Sequence, residues 1–170
     1  MKNVVLVGFM GCGKTSIGKK LARLMNYEFV DMDIEIEKSS NMKITEIFEI
    51  CGEEKFRKME TELCMELSER KDCVIATGGG VIKNEKNIEL LRQNGIVIYL
   101  KASPEDIYRN LRNDCTRPLL AGGNKLEKIK TMLAERRSLY EERSDISAEI
   151  GGMRASEAAE IIKEVLKEKI

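Results

Sequence analysis

Short apolar runs of strand length recur along the chain at residues 4–7, 28–31, 73–77 and 95–100, with a weaker one at 146–150. Between them, residues 16–25, 44–70, 84–93, 104–111 and 126–143 carry apolar side chains at every third or fourth position, and 156–169 closes the chain in the same way. A period near 3.6 predicts helices with one buried face, and the short runs predict strands. Their alternation implies βα units and a mainly parallel sheet covered on both faces. VVLV and IVIYL are continuously apolar, as the centre of such a sheet requires.

Two segments break the rhythm. Residues 31–70 are too long and too charged for a simple crossover, and Gly52 is expected to break the helix within them. Residues 113–124, NDCTRPLLAGGN, combine Pro118 with Gly122 and Gly123. Such insertions in an α/β domain either form substrate walls and lids or are tolerated surface loops. The 170 residues fit one domain, here 1–170, with an insertion at about 31–70 and a lid at about 113–124.

Composition narrows the function. The 29 Lys+Arg balance 29 Asp+Glu, so the basic excess of a phosphate-backbone binder is missing and nucleic acid is not an expected partner. A charged metabolite in a local Arg/Lys pocket is still compatible. No apolar run reaches the roughly 18 to 20 residues of a membrane span. MKNVVLVGFMG runs straight into GCGKT without a small-residue cleavage site, so it reads as a buried strand and not as a signal peptide. There is no histidine, and the five cysteines form no CxxC pair, which argues against a zinc site and a His-based relay. Reduced thiols in the cytoplasm fit best.

Gly8-Phe9-Met10-Gly11-Cys12-Gly13-Lys14-Thr15 matches G-x4-G-K-[ST], after an apolar strand and before an amphipathic helix. Glycines there let backbone N–H groups face phosphate oxygens, with a helix N-terminus behind them. Lys14 is placed to reach the β- and γ-phosphates, and Thr15 to hold Mg²⁺ through its hydroxyl. Phe9 and Cys12 read as spacers. A guanine-reading N-K-x-D string is missing, since the nearest match, Asn124-Lys125-Leu126-Glu127, ends in Glu, so ATP is expected. Only EFVD ends a strand in a carboxylate. Asp31 is therefore assigned to the water shell of Mg²⁺ and Asp33 to the acceptor side; the alternative is that they cap a helix starting near Ile34.

Three features describe that acceptor. Gly78-Gly79-Gly80 stands at the carboxyl end of a strand, where ligands of open α/β sheets bind. Arg136 falls in the middle of the apolar stripe formed by Leu126, Ile129, Met132, Leu133, Leu139 and Tyr140, whereas Arg137 lies about a quarter-turn outside it. An inward guanidinium needs an anionic partner, either a substrate carboxylate or Glu60. Arg57, inside the insertion, is a second cation for the same anion, and an Asp beside them suits hydroxyl groups. The pattern fits an acidic polyol better than a nucleobase.

GFMGCGKTSIG, FVDMD, GEEKFR, ATGGGV, RPLL and ERRSLYEE occur in the order and spacing found in shikimate kinases, which the chain resembles over essentially its whole length. The resemblance implies a P-loop NTPase fold of the nucleoside-monophosphate-kinase kind: three layers, α/β/α, around a five-stranded parallel sheet of order 2-3-1-4-5. It implies ATP-dependent phosphorylation of the shikimate 3-hydroxyl in chorismate and aromatic amino acid biosynthesis, by a cytoplasmic, monomeric enzyme. Lys14, Asp33 and Arg117 would be catalytic, with Asp33 the candidate base and Arg117 reaching ATP from the lid. Gly11, Cys12, Gly13, Lys14, Thr15 and Ser16 would cradle ATP. Asp33, Arg57, Gly78, Gly79, Gly80 and Arg136 would hold shikimate. The family often carries a proline in its adenine loop, where this chain reads Gly151-Gly152-Met153-Arg154-Ala155. Arg154, with Arg109 or Arg112 opposite, is the expected adenine sandwich. A gluconate kinase is the nearest rival. An ATP-binding regulator without turnover is a poor fit, because Lys14, Thr15, Asp31, Asp33 and Arg117 are all present.

Overall fold

A computed structural model describes residues 2–114, 120 and 122–169. Five parallel strands, β1 (Asn3–Val7), β2 (Glu28–Asp31), β3 (Cys73–Ala76), β4 (Gly95–Lys101) and β5 (Ile146–Glu149), form one sheet in the order β2-β3-β1-β4-β5. The expected order is therefore the observed one. β1 and β3 are buried at every position, as two-sided burial demands of VVLV and CVIA, while the edge strands β2 and β5 are only partly covered. Asn3 joins the two central strands at their start: its side chain donates to Arg70 O (2.9 Å) and accepts from Cys73 N (3.0 Å).

Among the described residues, seven α-helices connect and cover the strands: α1 (Lys14–Met25), α2 (Met32–Ser40), α3 (Ile44–Ser68), α4 (Glu85–Gln93), α5 (Pro104–Leu111), α6 (Lys125–Arg143) and α7 (Ala155–Lys167). Right-handed crossovers put α1 and α7 together on one face and α3, α4 and α6 on the other. The long segment after β2 is thus a helix pair, α2 and α3. Gly52 interrupts α3 with non-helical backbone (φ 82°, ψ 165°), as its position in the sequence predicts.

Chain direction reverses around β1: the chain leaves β1 toward β2, and leaves β3 toward β4. That is the switch point where a crevice opens beyond the carboxyl ends of the strands. The phosphate loop, Asp31 and the three consecutive glycines follow the ends of β1, β2 and β3, so parallel pairing gathers them at one rim.

Candidate active site

Gly11 (φ 76°) and Gly13 (φ 100°) turn the loop after β1 through left-handed backbone. Gly13 caps α1 with no side-chain acceptor, and the first turn of α1 holds no acidic residue. Its N–H groups and positive dipole end are therefore left for an external anion. Lys14, 8% exposed, curls back so that Nζ donates to Gly8 O (2.7 Å) and Phe9 O (2.9 Å), which holds its charge over the loop. Asn110 Nδ2 ties α5 to the same loop by donating to Gly11 O (2.8 Å).

Thr15 Oγ1 donates to Asp31 Oδ2 at 2.7 Å. The other carboxylate oxygen of Asp31 accepts from the N–H groups of Asp33 (3.1 Å) and Ile34 (3.3 Å). Asp31 therefore caps α2, starting the helix at Met32, and also orients the loop hydroxyl. This pair suits Mg²⁺, a hard cation that takes oxygen ligands and keeps several waters. Among the described residues no cluster of three or more His, Cys, Asp or Glu side chains forms an all-protein metal cage.

Two cavities meet at this loop. One, of about 520 Å³, is lined by the loop, Arg109, Asn110 and residues 150–153. The other, of about 610 Å³, is lined by Arg57, Glu60, Gly78, Gly79, Gly80 and Arg136, with Phe48 and Phe56 on its apolar side. Met10, Thr15, Asp31, Asp33 and Gly79 line both. Asp33 thus stands at the boundary.

In the second cavity the glycines permit close approach. A Cβ on Gly80 would stand 2.5 Å from Arg57 Nη1, and one on Gly78 would stand 2.8 Å from Glu60 Oε2 and 3.1 Å from Asp33 Oδ1. Arg57 donates to Glu60 Oε1 (2.6 Å) and Glu53 Oε1 (3.1 Å), with its guanidinium over the Phe56 ring. Arg136, 4% exposed, donates to Gly79 O (3.1 Å) and lies over the Phe9 ring, 5.6 Å from its centroid. Tyr140 Oη donates to the same carbonyl (2.5 Å) and its ring stacks on Tyr99. Glu60 is 1% exposed, and burial pushes its carboxyl up to about 7 although Arg57 pulls the other way.

A phosphate loop beside a cavity with two arginines does not by itself name a family, so likeness to known proteins decides it. A shikimate kinase family model matches residues 10–168. A shikimate kinase of Caldanaerobacter subterraneus subsp. tengcongensis is 45% identical over 170 residues, covering 99% of each chain. The chain belongs to the shikimate kinase family. Among solved structures, the Acinetobacter baumannii shikimate kinase in complex with shikimate superposes with a TM-score of 0.96 at 40% identity, covering 99% of this chain and 94% of that one. A Sinorhizobium meliloti gluconokinase reaches a TM-score of 0.58 at 14% identity, covering 99% and 97%, which is a likeness of fold alone.

Measured against what the family resemblance implies, Gly11, Cys12, Gly13, Lys14, Thr15 and Ser16 line the first cavity, and Asp33, Arg57, Gly78, Gly79, Gly80 and Arg136 line the second. Arg117 lies outside the described residues. Arg154 does not line the cavity; it pairs with Glu157 (2.7 Å), which also accepts from the Arg154 N–H (3.3 Å) to close a box at the start of α7. Arg112 does not line it either, whereas Arg109 does. Phe9 is more than a spacer, because its ring supports Arg136. Glu60 pairs with Arg57 three residues away on its own helix, and not with Arg136 as the alternative reading had it. Tyr140 was visible only as part of an apolar stripe. Its buried hydroxyl, which must find a partner, was the available signal.

Proposed function

We propose that this member of the shikimate kinase family transfers the γ-phosphoryl group of ATP to the 3-hydroxyl of shikimate, giving shikimate 3-phosphate and ADP in chorismate and aromatic amino acid biosynthesis. The observation that carries the reading is the juncture of the two cavities. One presents an open helix N-terminus with Lys14, the other two arginines at consecutive glycines, and Asp33 lines both. ATP lies in the first cavity, its β- and γ-phosphates on the loop N–H groups and Lys14. The adenine rests between Arg109 and residues 151–153. Shikimate fills the second cavity, its carboxylate held by Arg57 and Arg136 and its ring against Phe48 and Phe56.

At the boundary, Asp33 accepts a hydrogen bond from the 3-hydroxyl, orients its oxygen toward the γ-phosphorus and takes its proton as the new P–O bond forms. Lys14 and Arg117 neutralise the charge that spreads over the transferring oxygens. Thr15, oriented by Asp31, would hold Mg²⁺, with Asp31 reaching it through water. When bound, the ion would supply charge neutralisation for the phosphoryl oxygens. Residues 31–70 serve as the substrate-binding insertion and residues 113–124 as the lid of one domain, acting as a cytoplasmic monomer.

The test is ADP release from Mg·ATP with shikimate, gluconate or a nucleoside monophosphate as acceptor. Shikimate is expected to stimulate release far above the others. Equal stimulation by gluconate would contradict the reading, because gluconate is the hydroxy acid that the clamp alone rejects least.

A further inference from the structure

The second cavity is lined by three basic side chains, Lys43, Arg57 and Arg136, and by four acidic ones, Asp31, Asp33, Glu37 and Glu60, before any acceptor enters. Glu60 is 1% exposed, and only one of its oxygens is used, accepting from Arg57 at 2.6 Å. Among the described residues, Oε2 is buried without a hydrogen-bond partner. It stands 2.8 Å from the position that a Gly78 Cβ would take, and Asp33 Oδ1 stands 3.1 Å from the same point. The two acids therefore face each other across a residue with no side chain.

An acceptor carboxylate entering between Arg57 and Arg136 adds a further negative charge to a cavity whose acidic side chains already outnumber its basic ones. It also displaces water from a cavity in which Glu60 is already dry. Both changes disfavour the charged form of Glu60. The other groups that face it do not reverse this. Asp33, from α2, carries the same sign, Cys64 on α3 is a buried thiol, and the guanidinium groups of Arg57 and Arg136 are the ones that the acceptor engages.

We infer that Glu60 takes up a proton as shikimate binds, so that a neutral carboxyl group backs the two arginines holding the anion. The inference rests on the acceptor assignment above. The proton goes onto Oε2, which has no hydrogen-bond partner among the described residues, while Oε1 keeps its bond from Arg57. The carboxyl is already near neutrality in the free protein, at about 7, so binding has only to move it upward. Glu60 is then a positioning residue whose charge state is linked to substrate binding: shikimate affinity falls as pH rises above about 7.

Calorimetric titration of shikimate at pH 7.5, in phosphate and in Tris, measures the linkage through the different ionisation enthalpies of the buffers. Uptake of about half a proton or more per shikimate is expected. Glu60→Gln, which mimics the neutral acid, should abolish the uptake and flatten the dependence of the shikimate Kd on pH between 6 and 8.5. Binding without uptake by the native chain would overturn the inference, as would unchanged uptake in Glu60→Gln. Infrared difference spectra of the native chain are a readout that needs no variant. A new carboxylic-acid carbonyl band on adding shikimate is expected, and its absence would also overturn the inference. Shikimate failing to bind at all would instead overturn the acceptor assignment on which the inference stands.

Discussion

Arg136 and Arg137 are neighbours in sequence with opposite surroundings. One is 4% exposed between Phe9 and the Gly79 carbonyl; the other has a side chain 66% exposed and is paired with Glu141 on the same helix. Arg136→Lys should weaken shikimate binding by roughly 1 to 3 kcal/mol, because one ammonium cannot reproduce a two-pronged carboxylate contact. Arg137→Lys is the control, and equal losses of affinity in a shikimate titration would contradict the assignment. Glu60 makes a stability prediction of the opposite kind. Its carboxyl is raised from 4.5 to about 7 in the folded protein, so the folded state binds more protons than the unfolded one between those values. Stability from this group is full below about 4.5 and is lost as pH rises toward 7, by roughly 3 kcal/mol at most. Denaturant unfolding of the native chain and Glu60→Gln across pH 4.5 to 8 should show the difference between them shifting in favour of the variant as pH rises. A constant difference would contradict the account. The inward face of Arg136 was legible in the sequence because helical periodicity alone fixes it. The partner of Glu60 was not. An i,i+3 pairing with Arg57 and a cross-helix pairing with Arg136 both satisfy the pattern, and only three-dimensional distance separates them.

At the scale of elements, one carboxylate joins two helices. Asp31 ends β2, caps α2 through two backbone N–H groups and holds Thr15 at the start of α1. Asp31→Asn keeps an oxygen acceptor for the cap, so thermal unfolding should move little. The magnesium concentration for half-maximal activity should rise, because the charge behind the Thr15 hydroxyl is gone. Asp31→Ala should lose both, with about 1 kcal/mol of stability from the cap. Unchanged magnesium dependence in Asp31→Asn would remove the carboxylate from the metal site. The strands, the break at Gly52 and the phosphate loop were readable because each is a local property of a few consecutive residues. The bond that Arg154 makes to Glu157, three residues on, was not read from the sequence, although S/T-x-x-E-like spacing at a helix start is itself a local property. The 3-10 turn Val81–Lys83 follows directly on the three glycines, and no periodicity announces it.

Across the whole molecule, parallel strands and right-handed crossovers bring residues as distant in sequence as Lys14, Asp33, Gly79 and Arg136 to one rim. The sheet centre is buried on both sides, and the residues that line the two cavities stand on the elements that leave its carboxyl edge. A gluconokinase at 14% identity shares the fold, while the second cavity is lined from α2, α3 and α6 together with the glycines after β3. The most direct test of this arrangement is the identity of the product. With Mg·ATP and shikimate, phosphorus and proton NMR should show a single phosphate monoester at the 3-hydroxyl, formed in equal amount with ADP. An ester on another hydroxyl, or ADP without any shikimate ester, would contradict the placement of Asp33 between the two cavities.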